Sequence, residues 1–107
     1  MYGLLVKPGC YPKAVEFEDG YKEMQKLVEG NFELVSMYDD VDVFVNEEGK
    51  FNGSPPNKYV FVNGFLTDII FGNILIIDSD VEGNSIPLSD EKIQKYTRIF
   101  SSDSIYL

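Results

Sequence analysis

The sequence predicts an α+β fold: a mixed, mostly antiparallel sheet of five to seven short strands with two helices packed against it. Three observations carry this expectation. Short β-rich runs recur between clusters of Gly, Asn, Asp and Pro, and two segments space their apolar residues by three and four, the helical period. A chain of 107 residues that is 44% hydrophobic is long enough for one domain and too short for two. A single domain is therefore expected over residues 1–107, with 101–107 as a C-terminal tail that either docks on the body or lies at an oligomer interface.

Leu4, Leu5 and Val6 run into a turn-rich link, residues 7–12, after which Val15 and Phe17 alternate with Glu16 and Glu18 as in a half-buried strand. These form a first hairpin. Asp19 is placed to cap a helix with apolar residues Tyr21, Met24, Leu27 and Val28, and Gly30 to stop it. Residues 32–38 and 41–45 are β-rich runs separated by Asp39-Asp40, which suits an antiparallel pair. Residues 46–58 are poor in branched apolar side chains and read as a loop. Asn63-Gly64 between two β-rich runs signals a hairpin, because both central residues of a type I′ turn need positive φ. Residues 74–77, apolar without alternation, match a central strand covered on both faces. Ser89 then caps a second helix, with Asp90 and Glu91 at its positive end, Leu88 stapled to Ile93, and Ile93, Tyr96 and Phe100 as the buried stripe.

Composition narrows the chemistry. There is no histidine and one cysteine, Cys10, so histidine-based catalysis, zinc sites and an internal disulfide lose their ligands or bases. No cofactor or metal is expected. Eighteen acidic residues against nine basic ones give a net charge of -9, which repels phosphate backbones and anionic lipid surfaces. Direct nucleic-acid binding and membrane binding are not expected. The first eight residues lack a basic leader, and the longest apolar stretch, residues 69–77, falls short of the roughly 20 residues a spanning helix needs. A reducing, cytoplasmic location is the expectation.

Four motif-like strings have plainer explanations. Ser89-Asp90-Glu91-Lys92 has the Ser-x-x-Lys spacing of penicillin-recognising enzymes without their other elements, and helix capping accounts for it. Residues 78–83 imitate the start of a calcium loop, but position twelve is Ser89, not a bidentate Glu. Gly49 and Gly53 are separated by three residues, where a Walker loop needs four and then Lys. Glu47 and Glu48 are adjacent, so on extended backbone they diverge and cannot act as a carboxylate pair. No enzymatic activity is expected.

The segment 46–58 is richer in specific side chains than a connection needs. Its amides offer donors and acceptors, Pro55-Pro56 stiffens it, and Phe51 and Tyr59 present flat faces. Asn46, Lys50, Phe51, Asn52, Asn57, Lys58 and Tyr59 are therefore candidate residues for binding a small polar ligand. A rigid Ω-like loop folded on its own prolines and asparagines is the alternative.

The same segment, with Asn46-Glu47-Glu48-Gly49-Lys50, Asn52-Gly53 and Pro55-Pro56-Asn57-Lys58, resembles the signature of a small domain-of-unknown-function family of phages and mobile elements. The stretch Asp68-Ile69-Ile70-Phe71-Gly72 and the closing residues 88–96 are similar to that family as well, so the likeness spans nearly the whole chain. Ser54 departs from it, standing where the pattern has a larger apolar residue. The family has no established activity; the resemblance implies a small, cofactor-free phage-type protein acting by stoichiometric binding in the host cytoplasm. Two mechanisms fit. In one, a homo-oligomer sequesters a nucleotide-derived ligand as a counter-defence sponge, Lys50, Lys58 and Arg98 meeting phosphates, Asn52 and Asn57 reading polar edges, and Phe51 and Tyr59 stacking. In the other, an acidic face of Glu16, Glu18, Asp39, Asp40, Asp42, Glu47 and Glu48 mimics nucleic acid and occupies a basic host protein. Glu16 and Glu18 alone, about 6.7 Å apart on a strand, are sparser than phosphates about 3.4 Å apart, so neighbouring strands must fill the gaps.

Overall fold

A computed structural model describes residues 1–107. The chain runs β1 (Tyr2–Val6), β2 (Lys13–Glu16), α1 (Tyr21–Val28), β3 (Phe32–Val35), β4 (Asp42–Asn46), β5 (Pro56–Val62), β6 (Phe65–Phe71), β7 (Ile74–Ser79), β8 (Ser85–Ile86), α2 (Asp90–Phe100) and β9 (Ser104–Tyr106). The α+β class stands, and the strands divide between two sheets. The main sheet has the order β2-β1-β7-β4-β3, with β8 also paired to β7; the small sheet has the order β6-β5-β9. Every pairing is antiparallel except β5 with β9.

Strand β7 is the axis of the molecule. It lies between β1 and β4, and Ile74, Leu75, Ile76 and Ile77 are all fully buried, as an apolar run without alternation requires. Leu75 and Ile77 face α1, where they pack with Met24 and Val28. Ile74 and Ile76 face the other way and join Leu4, Val6, Val43 and Val45 beneath Tyr96 and Phe100 of α2. The small sheet adds Val60, Ile70 and Ile105 to that second, larger core. The layers are thus α1, the main sheet, and then α2 beside the small sheet.

Local signals are met at most boundaries. Ser89 Oγ accepts from the Lys92 N–H at 3.2 Å and caps α2. Asn63 and Gly64 take φ of 52° and 84°, as the hairpin between β5 and β6 demands. The tail docks within its own chain, β9 pairing with β5 and burying Ile105.

Two expectations are corrected. Asp19 does not cap α1: the N-cap position is Gly20 and no side chain bonds there. At the other end Gly30 does follow the last turn, its N–H donating to the Gln25 carbonyl at 2.9 Å, and the left-handed C-cap residue before it is Glu29, φ 64°. The 46–58 segment is only part loop, because Asn46 ends β4 and Pro56 opens β5. Proline is tolerated there as the first strand residue; β9 pairs with β5 only from Tyr59 onward, so no ladder bond on that side needs the missing N–H. No helix is long and apolar enough to cross a membrane.

Candidate functional site

The joint between the two sheets is built by asparagines. In β5 the register passes from Pro56 opposite Phe71 to Lys58 opposite Ile70, leaving Asn57 without a partner. Such a bulge turns consecutive side chains toward one side, and Asn57 and Lys58 are both buried, each 3% exposed. Asn57 Nδ2 donates to the carbonyls of Val6, at the end of β1, and Gly72, in the turn before β7, both at 2.8 Å. It ties the small sheet to the main one. Its Oδ1 is buried and receives no hydrogen bond.

Asn46 does the equivalent work for α1. Its Nδ2 donates to the carbonyls of Val28 and Glu29 at 3.2 and 3.1 Å, and Asn73 Nδ2 donates to that of Leu27 at 2.9 Å. Three carbonyls that a helix C-terminus leaves open are thereby satisfied from the sheet below. Asn46 Oδ1 accepts from the Glu48 N–H at 2.9 Å, which starts the turn leading to the small sheet.

Where that turn crosses β6, a cleft of about 310 Å³ opens between the sheets. Val35, Val45 and Ile70 supply apolar walls, and Glu33, Glu47, Lys50 and Asp68 supply charge. Lys50 Nζ is bound to Asp68 at 2.6 Å, so its ammonium is already neutralised, whereas Glu33 and Glu47 stand in no ion pair. Phe51 stands 89% exposed at the mouth. Gly49 sets the width: a Cβ there would come within 2.5 Å of the Phe71 carbonyl oxygen, so only glycine lets the turn approach β6 so closely.

Of the residues expected to bind a ligand, Asn46, Lys50 and Phe51 line this cleft. The others do not join them. Asn52 Oδ1 accepts from the N–H and Oγ of Ser54 at 3.0 and 2.6 Å and closes its own turn. Asn57 points into the joint, Lys58 lines a different pocket, and Tyr59 lies on the outer, partly exposed face of the small sheet. Arg98 sits exposed in the last turn of α2. Glu33 and Asp68 escaped the sequence reading as site residues. They come from strands distant in sequence, β3 and β6, and although Asp68 opens the family-like stretch 68–72, nothing local marks either residue as lining a cleft.

The acidic residues do not gather on one face. Glu16 and Glu18 lie on and just after β2, one edge of the main sheet, where they line a shallow depression with Met1 and Phe17. Asp42 is on β4, three strands across, or about 14 Å. Glu47 and Glu48 are exposed in the turn after β4, and Asp39 is exposed before it. Asp40 is engaged by Tyr96 Oη and by Lys95 Nζ, the latter at 3.0 Å. Those bonds, the tyrosine first, hold its carboxyl below the usual range against the opposing effect of burial. In the calcium-like string, Asp80 Oδ1 accepts from the N–H groups of Glu82 and Asn84, both at 2.9 Å, and forms a turn.

Comparison with curated proteins and with solved structures gives no match. The asparagines that build the joint and every residue of the cleft fall within residues 1–101, the stretch matched by one family model, and the chain belongs to that family, described as a domain of unknown function (DUF3846).

Proposed function

We propose that the chain is a non-enzymatic binding protein that holds a small ligand in the cleft between its two sheets, and that this ligand has an apolar body and a neutral or cationic polar end. One observation carries the reading: apolar walls from β3, β4 and β6 are overlooked by Glu33 and Glu47, neither of which is neutralised. Such a lining attracts an ammonium and repels a phosphate. The lysines expected to meet phosphates do not converge, Lys50 being tied to Asp68 and Lys58 lying in another pocket. Sequestration is kept and the ligand class shifts away from nucleotides. A phage or mobile-element setting, with counter-defence in the host cytoplasm, accords with a stoichiometric binder of this size. Mimicry of nucleic acid has less support, because Asp40 is spent on Tyr96 and Lys95 and the remaining acids are dispersed.

Amide spectra titrated with tyramine and, separately, with adenosine monophosphate test this. Tyramine should shift Val35, Gly49, Lys50 and Ile69, and Glu33→Gln together with Glu47→Gln should weaken it at least fivefold. Shifts there with the nucleotide and none with the amine, or none with either, would overturn the proposal.

A further inference from the structure

Lys58 is the only charged side chain buried in the protein, at 3% exposure. An ammonium carries three donors that call for acceptors, and the Lys58 Nζ, at the end of an otherwise buried stem, is not itself sealed from solvent but opens to a pocket. Lys58 has none in the fold: its Nζ belongs to none of the four ion pairs, which leaves no carboxylate oxygen within 4.0 Å. It lines a second pocket, of about 350 Å³, shared with Gly9, Cys10, Tyr11, Ser101 and Asp103 and distinct from the cleft between the sheets. That volume is at the lower end for small-molecule sites.

Two connections form the walls, the link between β1 and β2 and the link between α2 and β9. The second is fixed, since the Tyr59 N–H donates to the Asp103 carbonyl at 2.8 Å and Ser101 Oγ donates to the Arg98 carbonyl at 2.8 Å. Asp103 itself is exposed and also stands outside every ion pair. One pocket therefore holds an inner cation and an outer anion that do not touch. Burial draws the Lys58 pKa below its ordinary value while Asp103 draws it back, so the two charges act on each other across the gap.

We propose that this pocket binds a small zwitterion of the α-amino-acid class, its carboxylate on Lys58 Nζ and its ammonium on Asp103. A simple anion would gain the lysine and meet the repulsion of Asp103 as well as of a chain with net charge -9. A simple cation would gain the aspartate and meet the lysine. A zwitterion satisfies both groups, and having no net charge it is not excluded by the field of the whole protein.

Titration of labelled protein with each of the twenty common α-amino acids, with acetate and with methylammonium tests the assignment. At least one amino acid should saturably shift the amides of Gly9, Cys10, Ser101 and Asp103, while acetate and methylammonium at the same concentration leave them in place. Lys58→Met and Asp103→Asn should each weaken that amino acid at least tenfold. Asp103 is exposed, so its variant retains the fold and stays informative even where Lys58→Met does not fold. Absence of binding by every amino acid, acetate binding as tightly as the best of them, or full affinity in Asp103→Asn would each overturn the proposal. The cleft amides of Val35 and Ile69 should stay still throughout, which keeps this result separate from that of the tyramine titration.

Discussion

Single amides carry more of this fold than their number suggests. Replacing Asn57 with Ala strands the carbonyls of Val6 and Gly72 without a donor, at a cost of about 3 kcal/mol, and lowers the midpoint of urea unfolding accordingly. Asn57→Asp keeps the shape but aims a carboxylate at two carbonyl oxygens. It should be more destabilising than Asn57→Ala at pH 7, and the difference between the two variants should shrink as the pH falls and the acid protonates. A second residue-scale effect is set by Tyr96 and Asp40. The Asp40 carboxyl is held below its ordinary value of 3.8, so its contribution is present above that pH and is lost as pH falls through the lower, folded-state value. Burial and the same carboxylate raise the Tyr96 hydroxyl above 10.0, so on the alkaline side the contribution is full below that pH and lost as pH rises through the higher value. Tyr96→Phe should cost about 1 kcal/mol at neutral pH, the low side for a hydrogen bond to a charge because Asp40 is 38% exposed. It should also flatten both flanks of the stability profile measured by denaturant titration from pH 2 to 11.

At the scale of elements, the turn between β4 and β5 is a spacer with a fixed width. Gly49→Ala would place a methyl group within 2.5 Å of a backbone oxygen of β6, which cannot swing aside as a side chain does. The turn must lift, at about 1–3 kcal/mol, the usual cost of overpacking. Because Lys50 and Phe51 follow directly, the lift should also change tyramine affinity, whereas an equally destabilising change remote from the cleft, such as Met24→Ala under α1, should leave affinity unaltered. Comparing affinities of the two variants at matched stability checks this. The elements also show how the C-terminus of α1 is held: the carbonyls of Leu27, Val28 and Glu29 are satisfied by Asn46 and Asn73, side chains that would otherwise be buried unpaired.

For the molecule as a whole, the last strand closes the second core. Ile105, 1% exposed, comes from the chain's final residues yet packs in the cluster built by β1, β4, β7 and α2. Ile105→Ala should cost about 3 kcal/mol, within the range for such truncations and a large share of the 5–15 kcal/mol typical of a domain. A drop in melting temperature with no change in oligomeric state, followed by calorimetry and sedimentation, is the expected result. A tail that served mainly to join chains would give the reverse, altered assembly at unaltered stability.

The sequence by itself determined the α+β class, the strand on which everything else is laid, the Asn63-Gly64 hairpin and the Ser89 cap, because each is written in contiguous residues whose spacing or backbone demand is local. It also marked 46–58 as unusual, and Asn46, Lys50 and Phe51 do border the cleft. Only the tertiary structure decided that the strands form two sheets, that Asn57 looks inward while Lys50 is neutralised, and that Glu33 and Asp68 complete the lining. Those outcomes depend on which distant carbonyl or carboxylate lies within about 3 Å of a given side chain, and hydrogen bonds and ion pairs of that reach are made between segments that sequence spacing does not bring together.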